Sequence, residues 1–453
     1  MGRFTCSYAP PMSFPDGFVW GAATSAYQIE GGRHEGGKGE SIWDRFSDLG
    51  RIEVSGDTAC DHFHRYAEDV DLMADLGIDA YRFSIAWTRV LPDGTGRVNQ
   101  KGLDFYKRLV DLLLENDITP FATLYHWDLP QVLEDAGGWP ARATVDAFVE
   151  YADVTTAALG DRIKHWTTHN EPWVSAYMGY LEGEFAPGKT GWTEAVAASH
   201  HLLLSHGRAM PAIRANVAGG SAGIVLDCRH SYPASDRPED VDANRHFDGF
   251  RNRWFFDPVF GRGYPTDIWE SFDLQNRIRP GLVQPGDIDE IATPNDFLGL
   301  NFYTSLPISA GNEETEDSGV PPSPNPPPDY TEMGWPIVPE ALTQFLVRLQ
   351  EEYDPPAIYI TENGASFSDG PDAQGVVDDQ RRIDYLDAHF RAAVEAIDRG
   401  VKLNGYFVWS LMDNLEWASG FSQRFGLVWV DHATGERIPK RSFGWYRNFL
   451  RAA

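Results

Sequence analysis

Two carboxyl groups in this chain follow short runs of β-forming residues, and each stands where a strand should end. Glu171 lies in Thr168-His-Asn-Glu-Pro172, after the run His165–His169, and Pro172 cannot continue a central strand. Glu362 lies in Ile358-Tyr-Ile-Thr-Glu-Asn-Gly364, where Asn-Gly is a turn pair. Taken singly, each motif has a plainer interpretation, a surface carboxylate at a helix start in the first case and a solvated turn in the second.

The pair is more informative than either motif. Glu171 and Glu362 are 191 residues apart (362 − 171), yet in a closed barrel of parallel strands both strand ends face one cavity. Two carboxyl groups across a cavity, with no evident metal ligands, indicate glycoside hydrolysis, in which one acid protonates the leaving group. His200, His201 and His206 share a predicted helix but lack the HExxH spacing of a zinc site, so we expect no metal and no cofactor.

The elements that must position these groups alternate along the chain. Short β-type runs are predicted at Phe18–Ala23, Ala80–Ile85, Thr119–Tyr125, His165–His169, Ala222–Asp227, Phe297–Phe302, Ala357–Thr361 and Gly405–Ser410. Helical patterns lie between them, at Tyr66–Leu76, Gly102–Glu115, Ala141–Leu159, Glu194–Asn216, Pro339–Glu352 and Asp378–Arg399. Repeated strand–helix alternation predicts parallel strands with right-handed crossovers.

Eight such units favour an α/β fold in which residues 1–453 form a single (β/α)8 TIM barrel, with the active site at the C-terminal ends of the strands. An open, doubly wound sheet stays as the alternative, because periodicity does not reveal closure. Polar and aromatic residues fall in the predicted strands or at their ends, as a barrel site requires: Arg82, His126, Asn170, Glu171, Asn301, Glu362 and Trp409.

A Pro-rich segment interrupts the alternation after the sixth predicted strand. The run Val320-Pro-Pro-Ser-Pro-Asn-Pro-Pro-Pro-Asp329 cannot form a central strand or a helix interior. We therefore predict a long loop on the active face, around residues 311–335. Such a loop is either a rim of the site or a tolerated insertion, and the sequence favours neither.

Composition excludes several classes of function. The chain has 453 residues, 42% of them hydrophobic, which is enough for a large core. Its formal net charge of −29 disfavours nucleic-acid binding, since a phosphate backbone would meet a repulsive field. Three widely spaced cysteines match neither a disulfide framework nor a zinc site. No apolar run approaches the roughly 20 residues of a membrane span, and the N-terminus does not resemble a signal peptide, so we expect a cytoplasmic enzyme without a membrane partner.

Beyond these patterns, the chain resembles the family 1 glycoside hydrolases, a family that includes β-glucosidases. Each short match is weak, but their shared order and spacing are specific. The matching segments are Phe14 to Gly31, Ser41 to Asp44, Tyr81 to Trp87, His126 to Pro130, Asn170 to Pro172, Asn301 to Tyr303, Ile360 to Gly364, Trp409 to Trp417 and Arg424 to Leu427. The family's fold is a (β/α)8 barrel, in agreement with the alternation of elements.

The resemblance implies roles for individual residues. It makes Glu171 the acid/base and Glu362 the nucleophile of a retaining β-glycosidase, with Arg82 and Tyr303 tuning the nucleophile. The implied substrate-binding residues are Gln28, His126, Trp127, Asn170, Asn301, Tyr303, Trp335, Trp409, Glu416, Trp417 and Phe425. The expected substrate is a small β-glycoside or short oligosaccharide with a terminal glucose-like residue, with galactose and fucose as further candidates, and the sequence predicts no oligomeric state.

The chemistry of those roles depends on unequal protonation. A retaining site needs two carboxyl groups about 5–5.5 Å apart, one ionised and one protonated. Two like charges at that distance resist double ionisation, so the nucleophile raises the pKa of its partner. Arg82 beside Glu362 would favour the ionised form there. Once Glu362 becomes an ester its charge is gone, the pKa of Glu171 should fall, and Glu171 can act as a base.

Two rival interpretations stay open. Some family members act on 6-phosphorylated sugars through a Ser, Lys and Tyr set, but here Trp417, Gln423 and Phe425 stand at those places. A phosphate dianion requires a cation, which Gln423 cannot supply. A catalytically silent sugar-binding protein would share the fold, yet both carboxyl groups are present. One local departure is His169, which stands where phenylalanine is common in the family and could alter local packing or polarity.

Overall fold

The predicted barrel is confirmed by a computed structural model, which describes residues 12–311 and 329–452. Eight parallel strands, β1 to β8, pair in chain order and close between β1 and β8. They span Val19–Ala23, Ala80–Ser84, Thr119–Tyr125, His165–Asn170, Ser221–Pro233, Phe297–Ile308, Ile358–Asn363 and Leu403–Trp409. All eight predicted strands are present, and the open-sheet alternative is excluded because the sheet closes on itself.

Helices surround the barrel, and the six predicted ones lie within a few residues of their expected bounds. Helices α1 to α8 span Ala26–Ile29, Ile42–Asp48, His62–Leu76, Trp87–Val90, Gln100–Glu115, Gln131–Asp135, Ala143–Leu159 and Trp192–Asn216. Helices α9 to α15 span Pro238–Asp248, Trp254–Val259, Thr266–Leu274, Asp287–Ile291, Pro339–Tyr353, Gln380–Asp398 and Arg441–Leu450. Two π-helical segments, Val174–Glu182 and Gly249–Arg253, a 3₁₀ turn at Trp417–Ser419, and a hairpin of β9 (Val428–Val430) and β10 (Arg437–Pro439) complete the described elements.

Strands β5 and β6 are longer than predicted. The prediction ended them at Asp227 and Phe302, but they continue as a parallel pair from His230 opposite Ser305 to Pro233 opposite Ile308. The extension mixes polar and apolar residues, so no apolar run marked it. Its backbone groups nevertheless pair along the ladder beyond the barrel, and the two strands form one wall above the C-terminal face.

The core has an inner and an outer part, as in other barrels of this size. Inside the barrel, Phe121 and Phe407 pack with Ala23 and Ala80. Outside, each helix contributes an apolar stripe. In α5 the buried positions 103, 106, 110 and 113 recur at three- and four-residue spacing, so this helix lies flat against the strands.

The predicted loop on the active face is described only at its ends. Residues 312–328 lie outside the described part of the chain, and the following residues return to the barrel through a bridge between Tyr330 and Pro336. Within residues 12–311 and 329–452, no helix combines the length and the apolar character that crossing a bilayer requires.

A buried ion-pair cluster fastens the segment after β8 to helix α15. Asp413 accepts from Lys440 Nζ at 2.8 Å, from Arg424 Nη1 at 2.8 Å and from the Gly426 amide at 2.9 Å. Lys440 also pairs with Asp369 at 2.7 Å. Burial alone would raise the pKa of Asp413, but the neighbouring cations outweigh it and hold that pKa below its usual range. The charged cluster thus fixes both ends of the loop 410–427.

Removing one partner from this cluster should cost much more stability than removing a surface partner. We expect Asp413→Ala to destabilise the protein by roughly 3–5 kcal/mol, because it removes the buried anion that Lys440 and Arg424 share. The matched control is Asp378→Ala, which breaks the exposed pair with Arg441 and should cost little. Urea unfolding followed by tryptophan fluorescence measures the stability of both variants. Equal shifts of the unfolding midpoint would show that the buried cluster contributes no more than the surface pair.

Candidate active site

The C-terminal ends of the strands bring Glu171 and Glu362 to one cavity of about 230 Å³. Glu171 directly follows β4, and its amide donates to the Val225 carbonyl of β5 at 3.0 Å. Glu362 is the fifth residue of β7. Both side chains are buried, with 6% and 3% of their surface exposed. Two carboxyl groups far apart in sequence are therefore neighbours in a largely desolvated space.

Glu362 is surrounded by hydrogen-bond donors. Arg82 Nη1 donates to Glu362 Oε1 at 2.5 Å, and the Tyr303 hydroxyl donates to Oε2 at 2.7 Å. The same guanidinium donates through Nη2 to Asn170 Oδ1 at 2.7 Å. Each Glu362 oxygen thus has its own donor, one of them a cation, so the contacts favour the carboxylate and fix its plane.

Glu171 receives a single, neutral donor from the barrel. Asn301 Nδ2 donates to Glu171 Oε1 at 2.5 Å and to Asn170 Oδ1 at 3.0 Å. Thr361 Oγ1 donates to Asn301 Oδ1 at 2.7 Å, which sets the amide so that its nitrogen faces the carboxyl group. Asn301 and Thr361 thereby couple the position of Glu171 to the strand that carries Glu362.

These surroundings separate the proton affinities of the two groups. Burial raises the pKa of Glu171 well above its usual range, and the charges of Asp227 and Glu362 raise it further. Burial also raises the pKa of Glu362, but there the Arg82 charge and the Tyr303 hydrogen bond act in the opposite direction. When one proton is shared between the two groups, it therefore belongs on Glu171.

Most of the predicted substrate-binding residues line this cavity. They are His126, Trp127, Asn301, Tyr303, Trp335, Trp409, Glu416, Trp417 and Phe425. The aromatic rings form two groups. Trp417 packs on Trp127, with ring centres 4.5 Å apart, whereas Trp335 packs on Tyr303 at 5.4 Å. Flat apolar surfaces thus line the cavity in two groups, as a pyranose ring and a second group would require.

Three predicted residues lie behind the lining. Arg82 and Asn170 reach the cavity through the contacts just described. Gln28 is fully buried, and its Nε2 donates to Asn414 Oδ1 at 3.0 Å and to the Leu415 carbonyl at 2.8 Å. Its position supports the segment that precedes Glu416, and its role as a direct sugar ligand stays a prediction.

Two further polar groups of the lining have shifted proton affinities. Burial and the Arg82 charge lower the pKa of His126 well below its usual range, so the imidazole is neutral and can both donate and accept. Burial, with a contribution from Glu362, raises the pKa of Glu416 to about 8. A hydroxyl-rich ligand would replace the hydrogen bonds to water that these groups lose by burial.

The backbone is strained where it presents the site. Trp127, Glu171 and Trp417 have φ angles of 78°, 51° and 44°, in the left-handed region that bulky residues rarely adopt. All three line the cavity. Gly364 follows the β7 end at a place where an added Cβ would lie 1.7 Å from the Trp409 carbonyl oxygen, so only glycine lets β7 and β8 approach this closely.

Sequence reasoning missed several lining residues, including Trp173, Glu184, Asp227, Arg229 and Arg251. One signal was available for Asp227, because it is a carboxylate at the end of the fifth predicted strand. The other four lie outside the predicted strands, on segments without a periodic pattern, so nothing local indicated that they reach the site.

The unusual His169 points away from the cavity. Its ring stacks on Phe148 of α7, with centres 4.3 Å apart, and its Nε2 lies 2.8 Å from Ser205 Oγ of α8. Burial lowers its pKa well below the usual range, so the ring is neutral. The departure therefore affects the packing of β4 against the helices.

A (β/α)8 barrel whose strand ends bring two carboxyl groups to one aromatic-lined cavity is the architecture of a glycoside hydrolase. The chain belongs to glycosyl hydrolase family 1, whose family model matches residues 11–453. The resemblance found in the motifs is thus confirmed. Beta-glucosidase A of Thermotoga maritima is 47% identical over 447 residues, covering 97% of this chain and 98% of that protein. A bifunctional beta-D-glucosidase/beta-D-fucosidase of Bifidobacterium breve is 44% identical, with 97% and 98% covered.

Solved structures of family 1 enzymes have the same fold as this chain. The family 1 β-glucosidase from Thermotoga maritima superimposes with a TM-score of 0.92 at 45% identity, covering 98% of this chain and 99% of that one. The same enzyme in complex with glucoimidazole gives a TM-score of 0.91, with 97% and 99% covered.

Removing the tyrosine donor should change the pH dependence of hydrolysis. In Tyr303→Phe, Glu362 loses a hydrogen bond that lowers its pKa, so that pKa should rise. If the reaction needs ionised Glu362, the acidic limb of kcat/KM should move to higher pH, with a loss of about tenfold or more at the optimum.

The measurement is kcat/KM against pH with an aryl β-glycoside. Tyr359→Phe is the matched control, since Tyr359 lies near the start of β7 and packs on Phe121 and Phe297. An acidic limb that stays in place in Tyr303→Phe would show that the hydroxyl does not tune Glu362.

Proposed function

We propose that the protein is a retaining β-glucosidase that removes terminal, non-reducing β-D-glucosyl residues through a covalent glycosyl-enzyme intermediate. The observation that carries this proposal is the unequal pair of carboxyl groups. Glu362 has a cationic and a phenolic donor, while Glu171 has a neutral amide donor and a buried, acidic neighbourhood. This asymmetry is what a nucleophile and an acid/base need.

In the first step, a Glu362 oxygen attacks the anomeric carbon while Glu171 gives its proton to the glycosidic oxygen. The bond from the anomeric carbon to that oxygen breaks, the alcohol leaves, and the sugar is held as an ester of Glu362. In the second step, Glu171 takes a proton from water as the water oxygen attacks the anomeric carbon. The ester bond then breaks and Glu362 is released as a carboxylate.

The proton affinity of Glu171 changes between the steps. In the free enzyme, the charge of Glu362 helps Glu171 to keep its proton. Formation of the ester removes that charge, so the pKa of Glu171 falls and the group can accept a proton. Two carboxyl groups are sufficient for both steps, and the mechanism requires no metal or cofactor.

The lining supports recognition of a single sugar ring. We propose that His126, Asn170 and Glu416 bind its hydroxyls, that Trp409 and Trp417 contact its apolar face, and that Gln28 assists from behind Glu416. Trp127, which packs on Trp417, is proposed to complete the surface that holds the sugar. Asn301, Tyr303, Trp335 and Phe425 are proposed to contact the reacting centre or the leaving group.

Names of the relatives guide the choice of sugar. Thermotoga maritima β-glucosidase has been solved with glucoimidazole and with galacto-hydroximolactam, and the Bifidobacterium breve relative is named for glucosidase and fucosidase activities. We propose glucose as the preferred residue of this enzyme, with secondary activity on β-fucosides and β-galactosides. Three further points stay predictions: hydrolysis of short cellulose-derived glucosides, a location in the cytoplasm, and the organisation of the chain as a single barrel domain.

The 6-phosphate alternative finds no support in the loop after Glu416. Gln423 is neutral, and the neighbouring Arg424 directs Nη1 to Asp413 Oδ2 at 2.8 Å and to the Val430 carbonyl at 3.1 Å. Phe425 lines the cavity with an apolar ring. A phosphate at the 6-position would meet no cation from these three residues.

Proton NMR of the first product tests the reaction and its stereochemistry together. With an aryl β-glucoside, the enzyme should release β-glucose before mutarotation, because two inversions retain the configuration. Early α-glucose would mean an inverting enzyme.

The nucleophile is tested in the same time course. Glu362→Ala should lose almost all hydrolysis and regain turnover with azide, forming an α-glucosyl azide. Glu351→Ala, an exposed glutamate on α13, is the matched control and should behave like the parent. Parental turnover by Glu362→Ala would overturn the assignment.

The acid role is tested by the leaving group. Glu171→Ala should reduce kcat/KM strongly for an alkyl glucoside, which needs protonation, and much less for an activated dinitrophenyl glucoside. The expected difference between the two substrates is about a hundredfold or more, within the range of general acid catalysis. An equal loss of kcat/KM on both substrates would show that Glu171 does not protonate the leaving group.

A further inference from the structure

A buried ion pair stands in the cavity wall next to Glu171. Arg251 Nη1 contacts Asp227 Oδ2, and both residues line the cavity. They are almost fully buried, with 8% of Asp227 and 3% of Arg251 exposed. None of the roles described above uses this pair.

Backbone pairing places Asp227 beside Glu171. Asp227 lies opposite Asn301 in the β5–β6 register, and Asn301 is the residue that donates to Glu171. The Glu171 amide is itself bound to Val225, two residues before Asp227, and residues two apart in a strand face the same side. The carboxyl groups of Asp227 and Glu171 therefore share one part of the cavity.

Arg251 is fixed from two sides. Asn252, the next residue, accepts from the Arg229 amide at 3.1 Å and donates to the Arg229 carbonyl at 3.0 Å, which fastens this segment to β5. The guanidinium lies 3.9 Å from the ring centre of Trp173, two residues after Glu171. Arg251 thus contacts the chain two residues after Glu171, and its partner Asp227 lies on β5, whose Val225 carbonyl binds the Glu171 amide.

We propose that Asp227 and Arg251 are positioning residues for the reaction inferred above, acting through Glu171: they support the backbone next to it and set how strongly it holds its proton. The proposal rests on the proposed role of Glu171 as acid/base. It assigns opposite effects to the two partners, since Asp227 favours the protonated form of Glu171 and Arg251 the ionised form.

The electrostatics of the site agree with the geometry. After burial, the charge of Asp227 is the largest influence that raises the pKa of Glu171, ahead of Glu362, and Arg251 acts in the opposite direction. Esterification of Glu362 leaves the Asp227 side chain chemically unchanged. The pKa of Glu171 then falls by only part of its total elevation, which would keep the group basic enough to deprotonate water.

Other titratable and charged groups face Glu171 from the surrounding elements. They are Glu362, Glu416, Tyr303, Cys228, His126, Arg82, Arg229 and Glu184. Burial raises the pKa values of Tyr303 and Cys228 well above their usual ranges and lowers that of His126, so these three stay neutral. Glu416, with a pKa of about 8, contributes to every profile, and the test therefore compares variants with one another.

Two charge-removing variants give opposite expectations. In Asp227→Asn, Glu171 loses a negative neighbour, its pKa falls, and the alkaline limb of kcat/KM should move to lower pH. In Arg251→Gln, Glu171 loses a positive neighbour, its pKa rises, and the limb should move to higher pH. Each shift should be about one pH unit, as expected for a charge a few ångströms away. The double variant should return the limb towards its position in the parent.

The profiles are measured with an alkyl β-glucoside, whose hydrolysis depends on the proton of Glu171. Arg251→Lys is the control that keeps the charge, and its limb should stay in place even if kcat falls. If Arg251→Gln fails to fold, Asp227→Asn carries the test, and an alkaline limb that stays in place in that variant would overturn the inference. A purely structural pair would lower kcat/KM in both single variants without opposite shifts, and that result would overturn the inference.

Failure of this inference is distinguishable from failure of the proposed function. If the parent hydrolyses aryl β-glucosides and Glu171→Ala shows the leaving-group dependence described above, the function stands. Alkaline limbs that stay in place, or that move in the same direction in both variants, would then contradict only the role proposed for the ion pair. An inactive parent would instead remove the premise that both share.

Discussion

Two carboxyl groups confined to one desolvated cavity resist being charged together, and the arrangement of the site follows from that repulsion. Arg82 and Tyr303 stabilise one charge at Glu362. Among the described residues, the side-chain donor to Glu171 is the neutral amide of Asn301, and Glu171 carries the proton. Asn170 accepts from Arg82, the partner of Glu362, and from Asn301, the partner of Glu171. The two carboxyl groups are therefore parts of one hydrogen-bond network, and they titrate as a coupled pair.

The barrel supplies the rigidity that such a network needs. Arg82, Asn170, Asn301 and Glu362 lie on four different strands, and each strand is held by ladders on both sides. The loop that carries Glu416 and Trp417 has no such ladder along most of its length. Its position depends on buried charges around Asp413, which bind it to the last helix. The barrel strands therefore position the reacting groups, whereas buried ion pairs position the loop that carries Glu416 and Trp417.

The sequence predicted what is encoded locally. Runs of β-branched and aromatic residues located all eight strands, and the end of each run located Asn170, Glu171 and Glu362. It did not predict that β5 and β6 extend to Pro233 and Ile308, because their extension satisfies backbone groups without an apolar pattern. Nor did it predict Arg251, which reaches the site only because Asn252 fastens a π-helical segment to Arg229. Contacts made between distant segments leave no periodic trace in either one.

The left-handed residues of the cavity have a consequence for how this enzyme can be made more robust. Trp127, Glu171 and Trp417 adopt conformations that cost roughly 1–3 kcal/mol each, and the surrounding fold must supply that energy. The catalytic face therefore carries backbone strain that the rest of the fold must offset, and relaxing that strain would trade activity for heat resistance. Engineering for higher temperature should leave these three positions alone and work on the helix surfaces and the N-terminal face, where stability is not bound up with chemistry.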